Sequence, residues 1–303
     1  MCEWKSVRQF KSSDTNVSKF VFEKDDIAVE AVLYRYGSYA KRTVICCSTQ
    51  CGCPVGCTFC GTGRFFVRNL TNEEIEGQIH EVLKTIDCDT KDIEKFQLMF
   101  MSMGEPFLNY DNLHRAICNL NRECPNAQLL VSTSAPTAIT NNFFRFIELS
   151  QAIDKVGIQF SVHESTDENR RKLIRTNTST LWQIGCLGTL WASYVGRKPF
   201  YNYCAHEGNA SADDAQRLVE LFDPKVWETT VSVICEKSES VKSSIDRQLE
   251  LIRTFTKELI SRGASVRVFN PAGQDDIGGG CGQLWFFQKW LNEKGIKHEN
   301  QDL

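Results

Sequence analysis

The 303-residue sequence contains no run of about 18 apolar residues, so no membrane-spanning helix is expected. Its N-terminus, MCEWKSVRQFKSSDT, lacks the apolar centre of an export signal. Internal repeats, low-complexity tracts and a Pro/Gly-rich linker are all missing, which argues for one main domain. An excess of positive charge is missing too. Lys and Arg number 35 against 38 Asp and Glu, a net charge of −3, which argues against tight non-specific capture of RNA and leaves room for a local basic patch. What is abundant is cysteine, at fourteen residues. Without an export signal, metal binding or thiol chemistry in a reducing compartment, the cytoplasm, is expected rather than a disulfide framework. Isolated cysteines such as Cys88, Cys118, Cys124 and Cys186 read as small buried hydrophobes.

Along the chain, KFVFEKDDIAVEAVLYRY (19–36) reads as two strands around a turn. Apolar, Val/Ile/Phe-rich runs follow at 43–47, 96–102, 129–133, 156–162, 200–205, 230–235 and 265–269. Helical patterns lie between them. One starts at Thr71 with Glu74 three positions on, a capping box, and carries Ile75, Ile79, Val82, Leu83 and Ile86 on one face. Another spans 243–262. Strands alternating with helices imply right-handed βαβ units and a parallel sheet. The expected fold is α/β, a full or partial barrel. A β-hairpin extension over 1–40 precedes a barrel domain over 41–303, which ends in a cysteine loop and a helix. In parallel barrels the chemistry sits at the C-terminal ends of the strands. The loop CGCPVGCTFC (51–60) directly follows the first such strand.

Cys53, Cys57 and Cys60 in that loop read C-x-x-x-C-x-x-C. Three thiolates so spaced can converge on one soft metal centre. A structural zinc site prefers four ligands, usually two C-x-x-C pairs, and no second pair is present. A 4Fe–4S cluster held by three cysteines keeps one iron without a protein ligand, open to a small chelating molecule.

This spacing resembles the cluster motif of radical S-adenosylmethionine (SAM) enzymes, in which an aromatic residue, here Phe59, precedes the third cysteine. In that superfamily the open iron binds the amino and carboxylate groups of SAM, and electron transfer cleaves it to a 5′-deoxyadenosyl radical. MSMGEP (101–106) resembles the Gly-Gly-Glu-Pro element that meets the SAM amino group, with Met103 where the first Gly stands. The resemblance assigns Glu105 to the ammonium, a charge-assisted bond, and Gly104 to close backbone approach. Ser161, in SVH (161–163), becomes a candidate SAM contact.

A narrower resemblance covers residues 42 to 284. RTVICCSTQCGCPVGCTFCGTGRFFVRNLTNEEIEGQI, MSMGEPFLN, VSTSAP, FSVHESTDENRRKLI and DDIGGGCGQL follow in the order found in the RlmN/Cfr family of RNA adenosine methyltransferases. It implies a partial (β/α)6-type radical SAM barrel, a 4Fe–4S cluster and two SAM molecules per turnover. Ser134 and His163, in these matching stretches, join Gly104, Glu105 and Ser161 as candidate SAM-binding residues. The resemblance gives Cys281 the role of methyl carrier, methylated by a first SAM and then attacked by the radical made from a second. Cys46 would take a proton from the resulting protein–RNA adduct and form a disulfide with Cys281. The chemistry is reasonable in itself, because an sp² adenine carbon is too weak a nucleophile to attack SAM, whereas a thiolate is not. Glu30 matches a family glutamate near the substrate base. Gln50 and Arg68 are candidates for RNA contact or loop support.

Three departures bear on the substrate. The residues before Cys46 are too few for the helical N-terminal domain of bacterial members. ICEKSES (234–240) stands where the family has Trp-Asn-Pro. Cys47 and Cys51 are additional thiols, and Cys47 could substitute for Cys46 or point into the barrel wall. The expected reaction is methylation of an adenine ring carbon, carbon-2 in preference to carbon-8, in ribosomal or transfer RNA. One alternative is the same carrier chemistry on another RNA or a small nucleotide. Another is a non-enzymatic iron–sulfur or zinc protein on the same scaffold. Because no flavin or second cluster motif is present, an external low-potential donor such as flavodoxin or ferredoxin is expected. No membrane partner is expected.

Overall fold

The computed structural model describes residues 4–63, 65–233, 241–270, 277–279 and 285–295. The chain divides into two compact units, Met1–Val131 with Pro271–Leu303, and Ser132–Asn270. The expected boundary between residues 40 and 41 falls inside a continuous strand, β4 (Ser38–Cys47), which ties the N-terminal strands to the parallel ones.

In the first unit β1 (Ser6–Lys11), β2 (Val17–Lys24), β3 (Ile27–Tyr36) and β4 pair antiparallel in sequence order. β4 then pairs parallel with β7 (Lys95–Phe100), and β7 with β8 (Gln128–Thr133). Between β4 and β7 lie a two-stranded ribbon, β5 (Gln50–Gly52) with β6 (Phe66–Asn69), and helix α1 (Asn72–Leu83). The Thr71–Glu74 capping box starts α1 as expected, and Ile75, Ile79 and Val82 are buried. The helix stops at Leu83, so Ile86 lies beyond it. Helix α2 (Tyr110–Glu123) connects β7 to β8. Helix α8 (Trp285–Glu293) also belongs to this unit.

In the second unit β9 (Val156–Ser161), β10 (Phe200–Ala205), β11 (Glu228–Val233) and β12 (Val266–Phe269) run parallel. Helices α3 (Thr140–Ala152), α4 (Asp167–Leu173), α5 (Leu181–Val195), α6 (Ala212–Leu221) and α7 (Val241–Ser261) lie before or between them. All seven expected βα strands are present, and the α/β class with a parallel core is as read. Among the described residues no helix is long and apolar enough to cross a membrane.

The sequence pattern missed β1 and the β5–β6 ribbon. β1 is largely solvent-facing and only weakly patterned, and β5 is three residues long. The antiparallel strands also differ from a simple hairpin, because both faces of β2 and β3 are buried along most of their length. Such burial yields near-continuous apolar runs rather than alternation.

Close packing in the second unit depends on a missing side chain. A Cβ at Gly188 of α5 would stand 2.1 Å from the ring of buried Trp227. Gly188→Ala is expected to cost about 1–3 kcal/mol by overpacking. A lowered urea midpoint would show this, and an unchanged midpoint would refute the tight contact.

Candidate active site at the strand ends

Beyond the C-terminal end of β4 the chain leaves the regular ladder while still buried, so its backbone groups need other partners. Ser48 is gripped by the Gln78 side chain of α1, which accepts from the Ser48 N–H at 2.9 Å and donates to its carbonyl at 2.9 Å. The Met103 carbonyl accepts from Thr49 N at 2.9 Å and Gln50 N at 3.3 Å. The Met103 thioether accepts from Gly52 N at 3.0 Å. Asn109 donates to the carbonyls of Thr49 at 2.7 Å and Leu70 at 2.8 Å. These contacts hold the entry and exit of the cysteine loop against the end of β7.

Inside the loop Cys53 N donates to Phe65 O at 2.5 Å, and Cys60 N to Cys57 O at 3.2 Å. Gly52 has φ +80°, and a Cβ there would lie 2.0 Å from the Phe65 carbonyl, so no other residue fits. Cys53, Cys57 and Cys60 are all half-buried. Burial pushes the Cys53 thiol well up, and Cys60 and Glu105 are close enough to push it further. Among the described residues no three His, Cys, Asp or Glu side chains are placed to hold a single metal ion. A 4Fe–4S cluster spreads its thiolates over separate irons, so its ligands need not share one point. One loop carrying three half-exposed thiols therefore fits the expected cluster by the chemistry of its donors.

Glu105 follows directly. Its N–H donates to the Gln50 side chain at 2.8 Å, and its carboxylate accepts from Phe107 N at 3.2 Å, capping a short 3-10 turn. Gly104 has φ +101°, and a Cβ there would meet Gln50 Cβ at 2.6 Å. Gln50, buried, thus joins the Glu105 turn to the cysteine loop, and it also donates to Asn69 at 2.8 Å. Arg68 pairs twice with Glu74, at 2.8 and 2.9 Å. Of the two roles considered for Gln50 and Arg68, both side chains fill loop support here.

Cys46 and Cys47 are adjacent on β4 and therefore face opposite ways. Cys46, 8% exposed, stands opposite Val32 of β3 and Met99 of β7. Cys47 is fully buried, and desolvation, with Cys46 adding, raises its thiol well above the usual range. Both adjacent thiols are thus buried, Cys47 the more completely. Cys51 donates to Ala28 O at 3.3 Å, and burial lifts its thiol to about 12. No disulfide joins the described cysteines. Cys281 and ICEKSES (234–240) lie outside the described residues.

Glu30 is 0% exposed. One carboxylate oxygen meets Lys19 Nζ at 2.5 Å and the other accepts from Phe287 N at 2.8 Å. Desolvation raises its pKa, opposed by Lys19, while burial lowers that of Lys19. Both carboxylate oxygens thus have a partner, one in an ion pair and one in a hydrogen bond.

In the second unit Ser134, Ser161 and His163 cluster around buried Arg170, a residue the sequence reading passed over. Arg170 donates to the carbonyls of Ser134 at 2.8 Å, Ser161 at 3.0 Å, Val162 at 3.2 Å and Ser179 at 3.1 Å, and to Thr178 Oγ1 at 2.6 Å. The signal was present, because Arg170 lies one turn before Ile174, itself buried, whereas Arg171 faces solvent. His163 takes φ +62°, and its Nδ1 accepts from Cys204 N at 3.3 Å.

No protein-family model matches the chain. Among curated proteins it is 32% identical over 268 residues to a probable dual-specificity RNA methyltransferase RlmN of Heliobacterium modesticaldum, covering 86% of this chain and 68% of that one. A protein of the same description from Pseudothermotoga lettingae is 31% identical over 287 residues, covering 92% and 79%. Among solved structures, a radical SAM methyltransferase from Sphaerobacter thermophilus superposes with a TM-score of 0.73 at 26% identity, covering 92% of this chain and 80% of that one. Streptococcus suis SuiB bound to S-adenosylmethionine shares the fold alone, with a TM-score of 0.50 at 16% identity and coverage of 74% and 46%. Parallel strands with a three-cysteine loop at their ends define the class, a radical SAM enzyme of the methyltransferase type. Within that class, the chain belongs to the RlmN family.

Two outcomes follow from this geometry. Gly52→Ala should lower the iron and sulfide retained after reconstitution to below about half of wild type, with the far-ultraviolet circular dichroism unchanged; full retention would show that the loop tolerates a side chain. His163 concerns stability. Burial, with Arg170 adding, lowers it from 6.5 to about 3, so the folded ring stays neutral where the unfolded one is charged. The unfolded chain then binds the extra proton between those values, so stability rises with pH across the window and is lost on acidification, by up to about 1.4 kcal/mol per pH unit. His163→Gln should flatten that slope in urea unfolding at pH 4 to 6, and an unaltered slope would contradict the assignment.

Proposed function

We propose that this protein methylates an adenine ring carbon, carbon-2 in preference to carbon-8, in ribosomal or transfer RNA, with Cys281 as methyl carrier and Cys46 as the resolving thiol. One observation carries the reading. Tyr34 and Cys46 share a face of the β3–β4 pair, Tyr34 opposite Val44 and Val32 opposite Cys46, and the Tyr34 hydroxyl donates at 2.6 Å to the carbonyl of Gly279, two residues before Cys281. The chain leading to one thiol is therefore tied to the strand face that bears the other.

Cys53, Cys57 and Cys60 would hold a 4Fe–4S cluster, and Gly104, Glu105, Ser134, Ser161 and His163 would contribute to SAM binding. When bound, the cluster would supply the electron that cleaves SAM to a carbon radical, one of two SAM molecules used per turnover. The Glu105 carboxylate offers an acceptor for an ammonium group, and Gly104 lets Gln50 pack against the turn that carries it. At neutral pH His163 is a neutral ring and presents no positive charge to a sulfonium ligand. Cys281 Sγ acts as the nucleophile that accepts the methyl group. Cys46 Sγ takes the proton from the alkylated ring carbon as the adduct's unpaired electron is given up to the redox partner, and then bonds to Cys281 Sγ as the bond from that sulfur to the bridging methylene breaks, the proton passing to the methylene to complete the methyl group of the released base. The burial of Cys47 leaves Cys46 as the thiol for this step. Reducing equivalents would come from an external low-potential donor such as flavodoxin or ferredoxin, and the cytoplasm is the expected location.

The test is anaerobic purification of wild type and Cys46→Ala from cells, without removing bound RNA. Mass spectrometry should find RNA joined covalently through Cys281 in the variant and not in the wild type. Sequencing the attached RNA then identifies the substrate. An unmodified Cys281 with no trapped RNA in the variant would overturn the carrier reading.

A further inference from the structure

In the second unit the segment between α4 and α5, residues 174–180 (IRTNTST), builds a surface that the proposed chemistry does not use. It is firmly held from below. Thr137 N donates to Asn177 O at 3.1 Å and Ser179 N to Ala135 O at 2.8 Å, while Arg170 takes the Ser179 carbonyl and the Thr178 hydroxyl. Asp167 Oδ1 accepts from Leu181 N at 2.8 Å and so ties α4 to the start of α5. Between these walls lies a cleft of about 290 Å³, whose lining includes Thr137, Arg171, Asn177 and Thr180. That is close to the lower bound, about 300 Å³, of small-ligand pockets.

The rim carries side chains that the fold does not use. Among the described residues Trp182, 68% exposed, has no ring or hydrogen-bond partner, and it stands two positions past Thr180. Arg171 donates only through Nε, at 3.0 Å to the Asp167 carbonyl, and exposed Arg175 makes no hydrogen bond or ion pair among the described residues. The neighbouring carboxylates are engaged, Asp167 by Leu181 N and Glu168 by Lys172 at 2.8 Å. Helix α5 has no charged residue in its 15 positions, so nothing on it repels an anion. An exposed tryptophan alone would need no explanation. Beside two unmatched guanidiniums and a polar cleft, it completes what single-stranded RNA requires: an aromatic face for a base, cations for phosphates, and hydroxyl and amide groups for the sugar.

Resting on the reading of RNA as substrate, we propose that this surface binds an unpaired segment of the RNA. One base stacks on Trp182, the flanking phosphates meet Arg171 and Arg175, and the cleft takes the sugar between them. Arg170, beneath the cleft, also holds the carbonyls of Ser134 and Ser161. One buried guanidinium thus fixes the spacing between the RNA surface and these candidate SAM residues.

Fluorescence anisotropy on the full reconstituted chain tests this, with a labelled oligoadenylate RNA of about 12 nucleotides as probe. Trp182→Ala should weaken binding about fivefold or more, and Trp182→Phe, which keeps a ring, should stay within about threefold of wild type. Between about 50 and 200 mM salt, Arg171→Ala/Arg175→Ala should lower the slope of log K against log salt by about 1.4, two phosphates at about 0.7 each. Lys225→Ala removes an exposed cation before β11, at the other end of the strands, and should leave affinity and slope unchanged. All these side chains are exposed, so thermal midpoints should stay within about 2 °C of wild type. A wild type that does not bind the probe, or unchanged affinity and slope in the Trp182→Ala and double arginine variants, would overturn the proposal. In the latter case, slower reduction by flavodoxin would mark the face as one that receives a protein. An equal loss in Lys225→Ala would also overturn it, by reducing the effect to overall charge. Methylation of total cellular RNA separates this from the carrier reading. A wild type that binds the probe through these residues yet never methylates Cys281 removes the carrier reading alone. Unchanged kcat/KM for RNA in the variants removes the surface alone.

Discussion

The cysteine loop, the Glu105 turn and the stretch around His163 each follow the end of a parallel strand, where the neighbouring strand no longer supplies ladder hydrogen bonds. The backbone at these ends is buried, so each N–H and carbonyl must find a partner or cost stability. Side-chain amides and one guanidinium fill that need. Gln78 clamps Ser48, Asn109 joins Thr49 to Leu70, and Gln50 joins Glu105 to the cysteine loop. In the second unit Arg170 takes four carbonyls and a hydroxyl, and Asn209 donates to His163 O and Cys204 O. The site residues are positioned by these buried polar groups more than by the regular elements.

The same accounting explains the glycines and the sulfur. Gly52 and Gly104 allow two loops to approach until a side chain would collide with backbone or with Gln50. Met103, standing where the resemblance has the first glycine of the Gly-Gly-Glu-Pro element, is buried beneath the loop and turns its thioether to Gly52 N. A loop that must present three thiols is thus held from below by weak but numerous contacts, leaving the cysteines themselves half-exposed.

Charge is used sparingly. The Lys19–Glu30 pair is buried, and the Glu30 carboxylate also accepts from Phe287 N of α8. His163 is kept neutral by burial.

The local chemistry of the sequence determined a great deal. Seven apolar runs with helical patterns between them defined the parallel α/β core, Thr71 and Glu74 fixed the start of α1, and the spacing of Cys53, Cys57 and Cys60 marked the loop. These are short-range signals of periodicity, capping and spacing, and they survive in one dimension. Which thiol faces which side, that Glu30 pairs with Lys19, and that Arg170 is buried while Arg171 is not were decided only in the tertiary structure. Each depends on partners distant in the chain: Lys19 and Phe287 for Glu30, Val32 and Met99 for Cys46, and the carbonyls of Ser134 and Ser161 for Arg170. Side-chain identity names what a residue can do, but burial and pairing across the sheet determine what it does.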